Sequence, residues 1–231
     1  MGLRYIFFGG TREKNADGSK RQLGVAHNSA FEFAALNVIN DYKSGNIKKI
    51  KITNAADMVK ALNNNQISSV SSLDILCHGT PYSLNFSENE NENCGLITGF
   101  FAKAGLAFYY SSWDDGIYSF SDDSRYVSDI DFKVFTENAR IQIHGCNTAR
   151  GSMPGDTLTI ALSKELYQAG KTKSYVIGHT DKSNPNINGA KTTIRQQDYR
   201  HGERSIYSNG NLIHTTQISG VITHESIQNI L

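Results

Sequence analysis

From Arg4 to Cys77 the spacing of apolar residues keeps changing, and this change limits the possible folds more than any other feature of the chain. Arg4-Tyr-Ile-Phe-Phe8 is a compact aromatic and β-branched run closed by Gly9-Gly10, the pattern of a strand. Within Ser29 to Tyr42, Phe31, Ala34, Ala35, Val38 and Ile39 recur at helical spacing, with Ser29 placed to cap. Lys48 to Thr53 alternates and predicts a strand with one wet face. Ala55 to Asn64 predicts a second helix through Met58, Ala61 and Leu62, and Val70 to Cys77 a third strand. Strand, helix, strand, helix, strand implies right-handed crossovers and a mainly parallel sheet, hence an α/β protein. The 231 residues suit a single domain spanning 1–231, large enough to bury a core without disulfides or metals.

Beyond Cys77 the pattern loosens. Pro81 to Asn93 is polar and predicts a surface loop. Residues 94–135 are rich in Gly and aromatics, including Phe100, Phe101, Phe108, Tyr109, Tyr110, Trp113, Tyr118 and Phe120. A short helix over Leu96 to Ala104 and a hairpin turn at Asp115-Gly116 are expected in this insertion. It is either a packed β-hairpin subdomain or a wall of a substrate cleft. Regularity then returns. Ile141 to Ile143 predicts a buried strand, Asp156 to Gly170 a helix with Leu158, Ala161, Leu162 and Leu166 on one face, and Ser174 to Gly178 a strand. Ser205 to Thr215 reads as a hairpin around Asn209-Gly210, and the tail from Val221 as a short helix or strand.

Charge excludes some partners. Lys and Arg number 23 against 22 Asp and Glu, a formal net of +1, which leaves no footprint for nucleic acid and no polybasic patch for a membrane. The three cysteines, Cys77, Cys94 and Cys146, are too few and too odd for a disulfide framework; they suit a reducing compartment or a reactive thiol. The start, Met1-Gly-Leu-Arg-Tyr-Ile-Phe-Phe, lacks a signal-peptide pattern. The expected location is the cytoplasm, or outside the cell by a route that needs no signal peptide.

Chemistry concentrates at two strand ends. Leu73-Asp-Ile-Leu-Cys-His-Gly-Thr80 ends an apolar strand in His78-Gly79, and Ala139-Arg-Ile-Gln-Ile-His-Gly-Cys-Asn-Thr148 ends another in Gly145-Cys146. Sites of open α/β sheets form where strands reach their C-terminal ends. If the two strands are neighbours, a thiol and an imidazole share one cleft, and the imidazole can activate the thiol. Gly79 lets backbone approach a ligand closely, so its N–H and that of Cys146 could form an oxyanion hole. Taken singly, each residue has an ordinary explanation: a buried Cys behaves as a small hydrophobe, and a lone His as a hydrogen-bonded structural group. A zinc cluster of Cys77, His78, His144, Cys146 and His179 is the metal-binding alternative, but Cys77 and His78 are adjacent and face opposite sides of a strand.

These motifs, with the Leu158 to Gly170 helix and Ser-Tyr-Val-Ile-Gly178 after them, resemble the caspase-type cysteine peptidases. That group takes in caspases, legumains, gingipains, separases and the CHAT-type bacterial proteases, and the helix-to-strand passage is most similar to the last. The resemblance spans roughly Val70 to Asp181. It implies a three-layer sandwich of the caspase-haemoglobinase kind and a cysteine endopeptidase working through an acyl-enzyme on polypeptide substrates, without cofactor or metal. Cys146 would be the nucleophile, His78 the general base and acid, and Gly79 with Cys146 the oxyanion donors. His144, two before the nucleophile, Asp181, just past the next strand, and Arg12, after the first, would be substrate-binding. His144 departs from the Gln, Glu or Asp common at its position in the family, which weakens any inference of a basic P1 residue. The interval from His78 to Cys146 exceeds the roughly 50 residues of caspases, an excess that the aromatic insertion explains. The same dyad would also serve an amidase or acyltransferase acting on a non-protein amide such as a cell-wall peptide. A catalytically silent binding module built on the aromatic insertion is the third reading.

Overall fold

The computed structural model describes residues 2–10, 29–42, 45–86, 95–98, 124–151 and 155–230. Strand β1 (Leu3–Phe8) leads through helix α1 (Ser29–Tyr42) to β2 (Ile47–Lys51), then through α2 (Ala55–Asn63) to β3 (Val70–Leu76). Four short strands follow: β4 (His78–Gly79), β5 (Ser83–Asn85), β6 (Gly95–Ile97) and β7 (Arg125–Tyr126). Then come β8 (Phe135–Ile143), helix α3 (Leu158–Gln168), β9 (Tyr175–His179), the hairpin β10 (Arg204–Ser208) and β11 (Asn211–Thr216), and helix α4 (His224–Gln228).

The central sheet has seven strands in the order β2-β1-β3-β8-β9-β10-β11. All pairings from β2 to β9 are parallel, and β10 and β11 run antiparallel at one edge. The predicted mainly parallel α/β sheet is therefore present. Its register sorts the side chains by face. Tyr5, Leu73, Ile141 and Val176 lie level across β1, β3, β8 and β9, and they join one buried apolar cluster with Met58 and Leu62 of α2 and Leu158, Leu162 and Leu166 of α3. One residue further along, Ile6, Asp74, Gln142, Ile177 and Ile206 form a row on the other face. There α1 packs Phe31, Ala34, Ala35 and Val38 against Ile6, Phe8 and Leu76, and α4 packs Ile227 against Ile177 and Ile206. Helices thus cover both faces, because each fully buried strand offers apolar residues to both sides.

Local chemistry sets the boundaries. The Asn54 side chain accepts from Asp57 N–H at 2.7 Å and starts α2, and Thr157 caps α3. At the hairpin, Asn209 and Gly210 both take positive φ, 49° and 73°, as a two-residue turn of this hand requires. Strand β2, with Lys48, Lys49 and Lys51, forms one sheet edge, where charge discourages further pairing.

Two expectations are corrected. The polar stretch from Pro81 is not simply a surface loop: β5 runs through it, and Leu84 and Phe86 are wholly buried. Nor does Leu96 begin a helix; Gly95–Ile97 is β6, and Leu84 sits opposite Leu96 across the pair. Both leucines enter the apolar cluster beneath α2 and α3, so burial of isolated apolar residues decides against the polar surroundings that dominate the local sequence. Together β4, β5, β6 and β7 make a second, four-stranded sheet. Residues 99–123 of the aromatic insertion, with the Asp115-Gly116 turn, lie outside the described residues. Among the described residues no helix is long and apolar enough to cross a membrane.

Candidate active site

The site begins with a meeting of backbones. Strands β3 and β8 are parallel neighbours, Ile75 lies opposite Ile143, and His144 N–H donates to the Ile75 carbonyl at 2.8 Å. The two strands therefore end level. Just past those ends, a Cβ added to Gly79 would stand 2.9 Å from the Gly145 Cα, and one added to Gly145 would stand 3.0 Å from the Gly79 Cα. Only glycine permits that approach from both sides. His78 precedes one of these glycines and Cys146 follows the other, so both leave the same crossing. A third strand end closes on it: a Cβ on Gly10, whose φ is +79°, would lie 3.2 Å from His78 Cδ2. The Gly9-Gly10 pair that ends β1 is thus part of the same rim, with Gly9 N–H donating to Leu76 O at 3.0 Å.

Around this crossing the two chemical groups have different surroundings. The His78 ring meets Phe31 of α1 edge to face, centroids 5.2 Å apart at 87°. Cys146 is partly exposed, on a turn where Asn147 takes a φ of 59°. That turn is sewn to the end of β9: Asn147 N–H donates to Asp181 O at 3.1 Å, and Ala149 N–H to His179 O at 2.9 Å. Burial pushes the Cys146 thiol up from its ordinary value, while the Ser183 backbone N–H and the Lys182 charge pull it down less strongly. The resting sulfur is therefore a thiol, and attack on a carbonyl needs a base at the moment of reaction.

The remaining candidates are placed as follows. His144 is 1% exposed, and its Nε2 lies 3.1 Å from Asp74 Oδ1. Burial lowers its basicity and the Asp74 bond offsets this only in part, so the ring is neutral and enclosed within the α1 face rather than open to a cleft. Asp181 is exposed on the rim, and its charge reaches Cys146. Cys77 is 1% exposed and turned to the apolar face with α2 and α3, where burial holds its thiol well above the ordinary value. Arg12 and Cys94 lie outside the described residues. Among the described residues, no group of three or more His, Cys, Asp and Glu is arranged to hold a metal ion.

Sequence reasoning did not find Ser183 and Tyr199. Both belong to the segment between β9 and β10, which has no periodicity to mark it. Ser183 Oγ donates to the Tyr199 carbonyl at 3.0 Å, and the Tyr199 ring stacks on Phe31, centroids 4.7 Å apart. Phe31 was visible as a core residue of a helix, but nothing in the sequence links it to His78.

These features define a class: an α/β protein with an imidazole and a thiol at adjacent strand ends of a parallel sheet. No protein-family model matches the chain, and no curated protein sequence matches it.

Proposed function

We propose that the protein is a cysteine endopeptidase of the caspase type. The observation that carries this reading is the Gly79–Gly145 backbone contact, since His78 precedes one of these glycines and Cys146 follows the other. The order of parts supports it: His then Gly after one strand, Cys after the neighbouring parallel strand, then helix and strand again.

In the proposed reaction His78 takes the proton of the Cys146 thiol as sulfur attacks the scissile carbonyl carbon, forming the C–S bond. The N–H groups of Gly79 and Cys146 hold the developing oxyanion. As the tetrahedral species collapses, the C–N bond breaks and the amine leaves with the proton from His78. Water, deprotonated by His78, then attacks the thioester. The C–S bond breaks, the sulfur regains a proton, and the carboxylic product departs. General-base help matters here because burial keeps the resting thiol protonated. Asp181, exposed beside Cys146, is the candidate wall of the P1 pocket on this rim.

The test is incubation with a diverse peptide pool and with acyloxymethyl-ketone peptides, read by mass spectrometry. Cleaved peptides and a single adduct on Cys146 are expected, and both should vanish in Cys146→Ala. His78→Ala should slow turnover by roughly 100-fold or more, the usual contribution of a positioned base. Unchanged cleavage in Cys146→Ala would end the peptidase reading.

A further inference from the structure

Tyr199 and Phe31 form an aromatic pair beside His78. The Phe31 ring meets His78 edge to face and stacks on Tyr199 at an interplanar angle of 26°. Burial, with a smaller contribution from the Cys146 sulfur, keeps the Tyr199 phenol from ionising. One side chain of α1 thus stands between the imidazole and the segment that borders the thiol.

That segment is held unusually firmly. Its Tyr199 carbonyl accepts from Ser183 Oγ at 3.0 Å. The next residue, Arg200, is 4% exposed in its side chain. Its Nε and Nη2 donate to the two oxygens of Asp198 at 2.9 and 2.7 Å, and its Nη1 donates to Asp41 Oδ2 of α1. Asp41 Oδ2 also accepts from Val221 N–H at 3.1 Å, and the Arg200 carbonyl accepts from Gly220 N–H at 2.7 Å. Arg200 therefore ties α1, the β9–β10 segment and the approach to α4 into one clamp. A planar fork with two carboxylates fixes orientation as well as distance.

Burial decides what the aromatic pair can do. Phe31 is 3% exposed and Tyr199 9%, so neither offers a face to a substrate. A perpendicular ring contact at 5.2 Å, however, leaves the imidazole few orientations. We infer that Phe31 is a positioning residue for His78, that Tyr199 backs it, and that the Arg200 clamp keeps Tyr199 in place. This inference rests on the proposed roles of His78 and Cys146.

The test follows the rate of Cys146 alkylation by iodoacetamide across pH, with the labelled peptide quantified by mass spectrometry. Wild type, His78→Ala, Phe31→Leu, Tyr199→Phe and Tyr199→Leu are compared, with circular dichroism checking the fold. Wild type should react faster than His78→Ala near pH 7. Phe31→Leu and Tyr199→Leu should lose roughly tenfold at that pH and match wild type at high pH, where every thiol is ionised. Tyr199→Phe, which keeps the ring, should retain the wild-type profile. If Phe31→Leu does not fold, Tyr199→Leu and an Arg200→Lys variant carry the same expectation. Folded Phe31→Leu and Tyr199→Leu variants that both keep the wild-type profile, while His78→Ala departs from it, would overturn the positioning role alone. Identical wild-type and His78→Ala profiles would overturn the dyad and this inference with it.

Discussion

Leu73 and Asp74 are neighbours in β3, yet their side chains enter different media. Leu73 joins a face of Tyr5, Ile141, Ile143 and Val176 packed dry against α2 and α3. Asp74 enters a face on which Arg140, Gln142, His144, His179 and Arg204 are all buried. Its two oxygens are both used, Oδ2 by the Tyr42 hydroxyl at 2.5 Å and Oδ1 by His144, while Arg140 donates to the same hydroxyl at 3.0 Å. Gln142 Oε1 accepts from Ile222 N–H at 3.1 Å and joins the sheet to the segment before α4. Non-directional packing alone holds one face; on the other, directional bonds join the apolar packing of α1 and α4. His78 projects to the bonded face, against Phe31. The His78 imidazole thus stands beside a scaffold that specifies orientation, while the dry face supplies bulk stability.

This contrast predicts how each face fails. Asp74→Ala would leave the Tyr42 hydroxyl and His144 without their shared acceptor, a loss of about 3–5 kcal/mol by urea titration. Asp74→Asn keeps the shape but not the charge, and should still cost roughly 2 kcal/mol. On the dry face, Leu73→Ala should cost about 2–5 kcal/mol through its cavity, but Leu73→Met, which conserves volume, less than about 1.5 kcal/mol. Equal tolerance of Asn at 74 and Met at 73 would erase the distinction between the faces.

Acid should act on one face only. Burial lowers both His144 and His179, the latter from 6.5 to about 3. Between those values the unfolded chain binds a proton that the folded one refuses. Stability is therefore full above the unfolded value and falls as pH drops below about 6.5, by roughly 1.4 kcal/mol per pH unit for His179, with His144 acting in the same direction. Replacing His179 with Asn should flatten this slope in urea titrations at several pH values, whereas Leu73→Met should leave it unchanged. A slope indifferent to His179 would remove the histidine from the account.

How far the sequence could reveal these two faces depended on periodicity. The strands around Leu73 and Ile141 and the helix around Leu162 were legible because burial imposes a period of two or of 3.6 on apolar residues. The strand ends at His78 and Cys146 were legible as paired Gly-flanked motifs, although their meeting needed the order of strands in the sheet. The buried polar face was not legible. Asp74, Arg140 and His144 occupy the positions that alternation assigns to water, and only long-range partners such as Tyr42, 98 residues from Arg140, reveal that they are enclosed. Arg200 and Tyr199 escaped for a similar reason, since their segment is held by side-chain bonds that leave no pattern along the chain. Leu84 and Leu96 misled in the opposite direction, each a lone apolar residue whose partner lies across a strand pair.

The smallest effect separates the two cysteines at the site's edge. Cys77 belongs to the dry face, and removing its sulfur deletes about one methylene's worth of contact. Cys77→Ala should therefore cost about 1 kcal/mol and leave the proposed peptide cleavage intact. Cys146→Ala should change stability less, because its side chain is partly exposed, and yet abolish cleavage. Peptide mapping after brief iodoacetamide treatment gives the same contrast without mutation. Cys146 should be labelled while Cys77, 1% exposed with its thiol held well above the ordinary value, stays unmodified until the protein unfolds. Labelling of Cys77 at the rate of Cys146 in the native protein would mean that the dry face opens to solvent at the sheet rim. The separation of packing from orientation would then end short of the strand ends.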